Sequence, residues 1–140
     1  MEVVPHVGIG KVRLGMSREE ADWLLERGMS VDARGSPPVV AFIEVSHRAS
    51  AEYRGIDLFD EDRPADEVVA EFVRLEGLDP ADYPPGQYEY LFPALKMLLW
   101  RGDVSDEEGE QGYTFQAASI HVPGYYDLSL IHISEPTRRS

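Results

Sequence analysis

Cysteine is absent from the 140 residues of the chain. Without a thiol, the protein has no disulfide framework, no thiolate nucleophile, no iron–sulfur cluster and no zinc site with cysteine ligands. Disulfides are typical of oxidising compartments, and a chain without cysteine fits a reducing one. We therefore expect a cytoplasmic protein.

Basic residues are few: the chain has 13 Lys and Arg against 26 Asp and Glu, which gives a net charge of −13. Proteins bind phosphate backbones and anionic lipid through clustered Lys and Arg. The charge therefore argues against nucleic acid and against a membrane surface as partners. The apolar run of about 18 residues that a membrane-spanning helix needs is also missing. Residues 1–6 lack the basic and apolar regions of a signal peptide.

Apolar and aromatic residues are present in the amounts that a packed core requires, at 43% and 10% of the chain. A chain of this length builds one domain and buries roughly two thirds of the surface that it exposes when unfolded. We therefore assign residues 1–127 to a single domain.

The last residues of the chain have an unusual sequence. Residues 128–138, Leu-Ser-Leu-Ile-His-Ile-Ser-Glu-Pro-Thr-Arg, resemble the in-frame translation of a transposase adapter that is used to prepare DNA sequencing libraries. We interpret residues 128–140 as a non-native C-terminal tail and leave them out of the fold prediction. A genuine last strand over residues 128–133 is the alternative.

Hydrophobic periodicity predicts two helices and six strands before this tail. Ser17 and Glu20 have the spacing of a capping box at the start of the first helix, and Gly28 stands where a left-handed C-terminal stop is expected. Pro64 opens the second helix and Gly77 ends it. The predicted elements are, in order, a strand at residues 7–14, a helix at 17–27, strands at 39–45 and 53–59, a helix at 64–76, a loop at 78–87, strands at 88–92 and 96–101, a loop at 102–112 and a strand at 113–122.

This order indicates an α+β fold with two helices packed on one face of a mainly antiparallel sheet. Two half-repeats of strand, helix and hairpin are a further hypothesis. They are suggested because residues 12–14 lead into residues 17–21 in the way that residues 56–58 lead into residues 64–68. Chance similarity is the competing interpretation.

Three stretches of the chain resemble known protein families. Residues 8–20 resemble the opening of a widespread group of small bacterial proteins, and residues 92–101 and 122–126 resemble one uncharacterised family among them. The step from Gly15 through Met16 and Ser17 to Glu20 is also similar to the strand-to-helix step of the β-lactamase-inhibitor-protein and outer-membrane-assembly-lipoprotein folds. Those folds are binding modules, but the shared step covers under a tenth of this chain, so the resemblance implies a fold alone. It implies no catalytic residue.

The motifs of catalysis and of cofactor or metal binding are incomplete. Gly8 and Gly10 lack the third glycine of a dinucleotide fingerprint, since position 13 is Arg. His6, His47 and His121 are the candidate general bases, but no two of them have the spacing of metal ligands. Ser119 and His121 share a strand face without an orienting acid, which is a poor triad. We therefore predict no catalytic, cofactor-binding or metal-binding residue.

The densest charge run and a group of tyrosines are the candidate partner-binding residues. When Asp103 is counted as position 1 of the run, Gly109 stands at position 7 rather than at the position 6 of a calcium loop, and the flanking elements are strands, so a calcium loop is not indicated. An acidic hairpin tip can instead steer a basic partner, and tyrosine is enriched at binding hot spots. The predicted partner-binding residues are Asp103, Asp106, Glu107, Glu108, Glu110, Tyr88, Tyr90 and Tyr113.

The sequence thus predicts a small acidic protein-binding module, with an immunity-type or inhibitor protein for a basic partner as one concrete form. One alternative is a hydrolase-like enzyme in which carboxylates such as Glu44 and Glu89 act with a histidine in a pocket. Another is a structural or accessory subunit that associates through a sheet edge. The oligomeric state stays open.

Overall fold

The structure, a computed structural model, describes residues 1–105 and 107–126. Within these ranges it has two α-helices and mostly antiparallel sheets, so the predicted α+β class is confirmed. The helices are α1 (Arg18–Leu24) and α2 (Ala65–Glu76). The strands are β1 (Val3–Val4), β2 (Gly8–Ile9), β3 (Val12–Arg13), β4 (Met29–Arg34), β5 (Val39–Ser46), β6 (Glu52–Tyr53), β7 (Ile56–Asp57), β8 (Glu89–Phe92), β9 (Met97–Trp100) and β10 (Ala117–His121).

The main sheet has five antiparallel strands in the order β4-β5-β10-β9-β8, with β10 at its centre. All five residues of β10 are buried. Ala118 and Ile120 face the hydrophobic core, and His121 packs against the rings of two tyrosines on the other face of the sheet.

The strand predicted at residues 113–122 is longer than β10, which it corresponds to. Residues 113–116 belong to the preceding loop, where the Ala65 amide at the start of α2 donates to the Tyr113 carbonyl at 2.7 Å.

α1 begins with the predicted cap and ends earlier than predicted. The Ser17 hydroxyl accepts a hydrogen bond from the Glu20 amide at 3.1 Å. The helix stops at Leu24, whereas the prediction extends to residue 27 with Gly28 as the stop. The chain leaves the helix early because Met29 already pairs with β5 as the first residue of β4.

Three other predicted elements agree closely with the structure. α2 and the predicted helix at 64–76 differ by one residue at one end, and Gly77 ends the helix with a left-handed φ of 69°. The strands predicted at 88–92 and 96–101 agree with β8 and β9 within one residue at each end.

Strand prediction fails in two ways in the first half of the chain. β4 is absent from the predicted elements, although Met29, Val31 and Ala33 alternate with polar residues as a strand requires. The strands predicted at residues 7–14 and 53–59 are each broken into two short antiparallel strands. Gly10 and Gly55 adopt φ values of 60° and 87° at these reversals, which glycine tolerates because it lacks a Cβ.

The same sequence of elements occurs twice. The β2-β3 pair, α1 and the β4-β5 hairpin are followed by the β6-β7 pair, α2 and the β8-β9 hairpin. In the main sheet the two hairpins flank β10 on opposite sides. This is the predicted pattern of strand, helix and hairpin, with the three-stranded sheet β1-β2-β3 in place of one first strand and the β6-β7 pair in place of the other.

A row of stacked rings ties α2 to the sheet. Phe72 of α2 lies between Tyr53 and Phe92, with ring centroids 4.7 and 4.2 Å apart, and Phe92 stacks in turn on Tyr83 at 4.9 Å. Each such pair contributes on the order of 1 kcal/mol beyond its buried area. The row fixes the loop at residues 78–87 against the helix, which shapes the candidate site.

Asp106 and residues 127–140 lie outside the described residues. The interpretation of residues 128–140 as a non-native tail therefore stays a prediction. Neither of the described helices is long and apolar enough to cross a membrane.

Candidate functional site

Arg101, immediately after β9, is the central polar residue of the candidate site. Its side chain is 1% exposed, and its three nitrogens donate to the Gln87 carbonyl at 2.9 Å, to the Gly112 carbonyl at 3.1 Å and to Asp66 Oδ1 at 2.9 Å. The fork of a guanidinium suits such a set of acceptors. One buried arginine therefore holds together the start of α2, the loop at 78–87 and the loop at 102–116.

Asp66 uses its two carboxylate oxygens differently. Oδ1 accepts from Arg101 and from the Gly86 amide at 3.0 Å, and it lies 3.3 Å from the Tyr90 hydroxyl. Oδ2 accepts no hydrogen bond from the described residues, and the side chain is 38% exposed. The orientation of Asp66 is thus fixed by one oxygen, which leaves the other available to a ligand.

An apolar groove runs between α2 and the loop at 78–87. It encloses about 640 Å³, a volume within the usual range of ligand sites. We call this cavity the apolar groove; its lining includes Val69, Ala70, Val73, Leu78, Tyr83 and Tyr90. Burial raises the pKa of Tyr83, and the nearby Asp82 adds to this shift.

A second, polar cavity lies beside the apolar groove. It also encloses about 640 Å³, and the two cavities share Asp66 and Pro85 as lining residues. The lining of the second cavity includes the acidic residues Glu107 and Glu110 of the loop at 102–116. We call it the acidic shelf.

The acidic loop at residues 102–112 is held by internal hydrogen bonds. The Ser105 hydroxyl donates to Glu110 Oε1 at 2.8 Å and accepts from the Glu107 amide at 3.1 Å. Gly112 lies so close to the Asp103 backbone that an added Cβ would stand 2.4 Å from it. The loop thus presents its carboxylates from a defined backbone.

Four carboxylates of this loop are exposed and form no ion pair with another described residue. Asp103, Glu107, Glu108 and Glu110 are all exposed. Among the described residues, none of the four forms an ion pair with a basic group. These four carboxylates therefore keep a negative charge that no ion pair within residues 1–105 and 107–126 neutralises.

The three predicted tyrosines do not form one surface. Tyr88 is 56% exposed, before the edge strand β8, whereas Tyr90 is 2% exposed and lies in the core. The Tyr90 hydroxyl donates to the Pro84 carbonyl at 2.7 Å, and burial raises its pKa. Tyr113 is half-buried in the loop, where burial and the nearby Glu108 raise its pKa.

The three candidate histidines do not form one cluster, although His6 lies near enough to His121 to affect its pKa. His6 Nε2 lies 3.0 Å from the Ala94 carbonyl, and His47 Nδ1 lies 3.3 Å from the Gln116 carbonyl. His121 is 4% exposed, and its Nδ1 has no hydrogen-bond partner among the described residues. Burial lowers the pKa of His121 to about 4.

The described residues contain no group of three metal-ligating side chains, and their buried polar side chains are Arg101, Ser119 and His121, without a carboxylate. A carboxylate buried beside His47 or His121, which acid–base catalysis would use, is thus missing from this part of the chain.

Sequence analysis missed Arg101 and Asp66 as site residues. The sequence did carry a signal for Arg101, because Arg101 continues the alternation of the apolar residues Met97 and Leu99. Both of these residues are buried in the structure. An arginine on the core-facing side of a strand indicates a buried charge, which needs a partner. Asp66 carried no comparable signal, since acidic residues are common in the first turn of any helix.

Three comparisons with known proteins found no match: no family model, no curated protein and no solved structure matches the chain.

Proposed function

We propose that the protein is an acidic protein-binding module for a basic partner, with an immunity-type or inhibitor role as its concrete form. The observation that carries the proposal is the loop at 102–112, whose exposed carboxylates lack ion-pair partners among the described residues. Arg101 anchors this loop through the Gly112 carbonyl. The cytoplasmic location expected from the sequence is part of the proposal.

Physical reasons favour binding over a merely solvated loop tip. Unpaired carboxylates at a defined position create a field that accelerates encounter with a cationic surface. A backbone that is already ordered loses less conformational entropy when a partner docks on it. The net charge of −13 also attracts a cationic partner, and it does so over a longer range than the loop alone.

The test removes the charge of four of the five acidic residues of the loop and keeps the size of each side chain. In the variant, Asp103→Asn is combined with Glu107→Gln, Glu108→Gln and Glu110→Gln. Surface ion pairs contribute roughly 0.5 kcal/mol each, so four of them give about 2 kcal/mol, or a roughly 30-fold loss of affinity. Proteins captured from a lysate by the native chain, and identified by mass spectrometry, serve as partners for affinity measurements at several salt concentrations.

A matched control changes the same charge elsewhere. Four other glutamates are exposed and form no ion pair among the described residues, and their replacement by glutamine alters the net charge equally; they are Glu2, Glu19, Glu26 and Glu52. We expect the control to keep near-native affinity and the loop variant to lose it. Equal losses in both variants, or binding that is indifferent to salt, would contradict the proposal.

A further inference from the structure

The apolar groove and the acidic shelf form one continuous surface. They meet at Asp66 and Pro85, which line both cavities. An extended ligand can therefore contact the apolar wall of α2 and the carboxylates of the loop at the same time. The two cavities differ sharply in chemistry, so a ligand that fits both must be amphipathic.

Asp66 stands where the two cavities meet. Its Oδ1 accepts from Arg101 and from the Gly86 amide, and its Oδ2 has no donor among the described residues, on a side chain that is 38% exposed. A free carboxylate oxygen in a partly buried site favours a donor, above all a charged one. Glu107 and Glu110 add negative charge on the shelf side.

Charge complementarity indicates which donor the surface suits. The residues that line the two cavities include three carboxylates, Asp66, Glu107 and Glu110, and one basic residue, Arg74. Asp79 and Asp82 add exposed acidic residues to the loop that forms one wall of the groove. The surface therefore suits a cationic group close to an apolar one.

We propose that this surface binds a short amphipathic segment of a protein partner. An apolar side chain of the segment fills the groove, and a neighbouring Lys or Arg donates a hydrogen bond to Asp66 Oδ2 and faces Glu107 and Glu110. The inference rests on the proposed function, because it names the part of the basic partner that the acidic module recognises. Apolar anchors beside charged contacts are the usual composition of a binding hot spot.

The experiment uses blocked synthetic peptides of defined sequence with the full-length protein. In a Gly/Ser background, each peptide carries one Leu and one Arg separated by zero to three residues. Matched peptides replace the Leu by Ser or the Arg by Gln. Titrations followed by ¹H–¹⁵N NMR give both the affinity and the residues that respond.

We expect the tightest binding from peptides that carry both side chains, with shifts at Ala70, Gly86 and Glu107. Replacement of the Leu or of the Arg should weaken binding about tenfold, since each removes one of the two contacts.

Two tryptophan variants on α2 test the groove itself. Ala70 is exposed and lines the groove, so Ala70→Trp places a large side chain at the groove without altering charge. Leu75 is 40% exposed on the same helix and does not line it, so Leu75→Trp is the matched control. Ala70→Trp should weaken peptide binding at least about tenfold, and Leu75→Trp should leave it unchanged. Circular dichroism verifies that both variants are folded.

The outcomes separate this inference from the function on which it rests. If every cationic peptide binds whether or not it carries the Leu, and Ala70→Trp has no effect, the groove inference is overturned. The proposal that the acidic loop binds a basic partner is then unaffected. If the molecular mass in solution rises with protein concentration and Ala70→Trp prevents that rise, the groove is instead filled by a second copy of the chain. In that case the inference is wrong. If no cationic peptide binds and neutralisation of the loop has no effect on captured partners, both proposals fail.

Discussion

Replacement of Arg101 by Met tests whether one buried arginine holds the site together. Met keeps the aliphatic part of the side chain and removes the guanidinium. Three acceptors then lose the hydrogen bond from Arg101: the Gln87 carbonyl, the Gly112 carbonyl and Asp66 Oδ1, which keeps the Gly86 amide as a donor. The variant should therefore lower the free energy of unfolding and loosen the acidic loop.

The size of the expected loss in the free energy of unfolding follows from the burial of the Arg101–Asp66 ion pair. Removal of one partner of a buried ion pair costs about 3–5 kcal/mol. Asp66 is 38% exposed, so water can solvate its carboxylate once Arg101 is gone. We therefore expect the low end of the range, about 3 kcal/mol, which corresponds to a fall in Tm of roughly 10 °C for a domain of this size.

Urea and thermal unfolding followed by circular dichroism measure the loss, with Arg27→Met as the control. Arg27 is exposed and forms no ion pair with a described residue, so its replacement should change the free energy of unfolding by less than about 0.5 kcal/mol. A double-mutant cycle with Asp66→Asn should show coupling of about 1 kcal/mol or more. A loss at Arg101 no larger than that at Arg27, or additive effects in the cycle, would refute the anchoring role.

Three further predictions concern the cap, a loop glycine and a buried histidine. Ser17→Ala removes the acceptor of the Glu20 amide and should lower the free energy of unfolding by about 1 kcal/mol in urea titrations; no loss would contradict the capping role. Gly112→Ala places a Cβ 2.4 Å from the Asp103 backbone, whereas Gly55 has a similar φ of 87° and open space. Gly112→Ala should therefore cost about 2 kcal/mol more than Gly55→Ala in the same assay, and equal costs would exclude the steric argument. Burial, reinforced by Lys96 and His6, lowers the pKa of His121 to about 4, below its unfolded value of about 6.5. The unfolded state therefore binds the proton first, and the free energy of unfolding should fall by up to about 3 kcal/mol as the pH drops from about 6.5 to about 4. His121→Leu should lose this part of the pH dependence, and an unchanged slope between pH 6.5 and 4.5 would count against the burial argument.

Local signals in the sequence were sufficient for the elements that depend on local chemistry. The Ser17 cap and the left-handed Gly77 involve hydrogen bonds within a few residues, so their spacing alone identifies them. The apolar stripe of α2 likewise recurs at helical spacing. These features are all present in the structure.

Signals that depend on distant partners were misinterpreted or overlooked. α1 stops at Leu24 because β4 must begin at Met29 to pair with β5, and that pairing is not visible in the helix itself. Tyr90 and Tyr88 are two residues apart, yet one lies in the core and the other is exposed. Alternation shows that they share a face of the strand, but not how much of that face other elements cover.

Composition and periodicity are local quantities, and they were enough to identify the α+β class, the net charge of −13 and the concentration of acidic residues after residue 102. The contact of Arg101 with Asp66, 35 positions away, and the apolar groove beside the acidic loop became visible only in the packed fold. A buried charge pairs with a group that the packing of the chain brings close to it. The positions of the two residues in the sequence do not predict that packing.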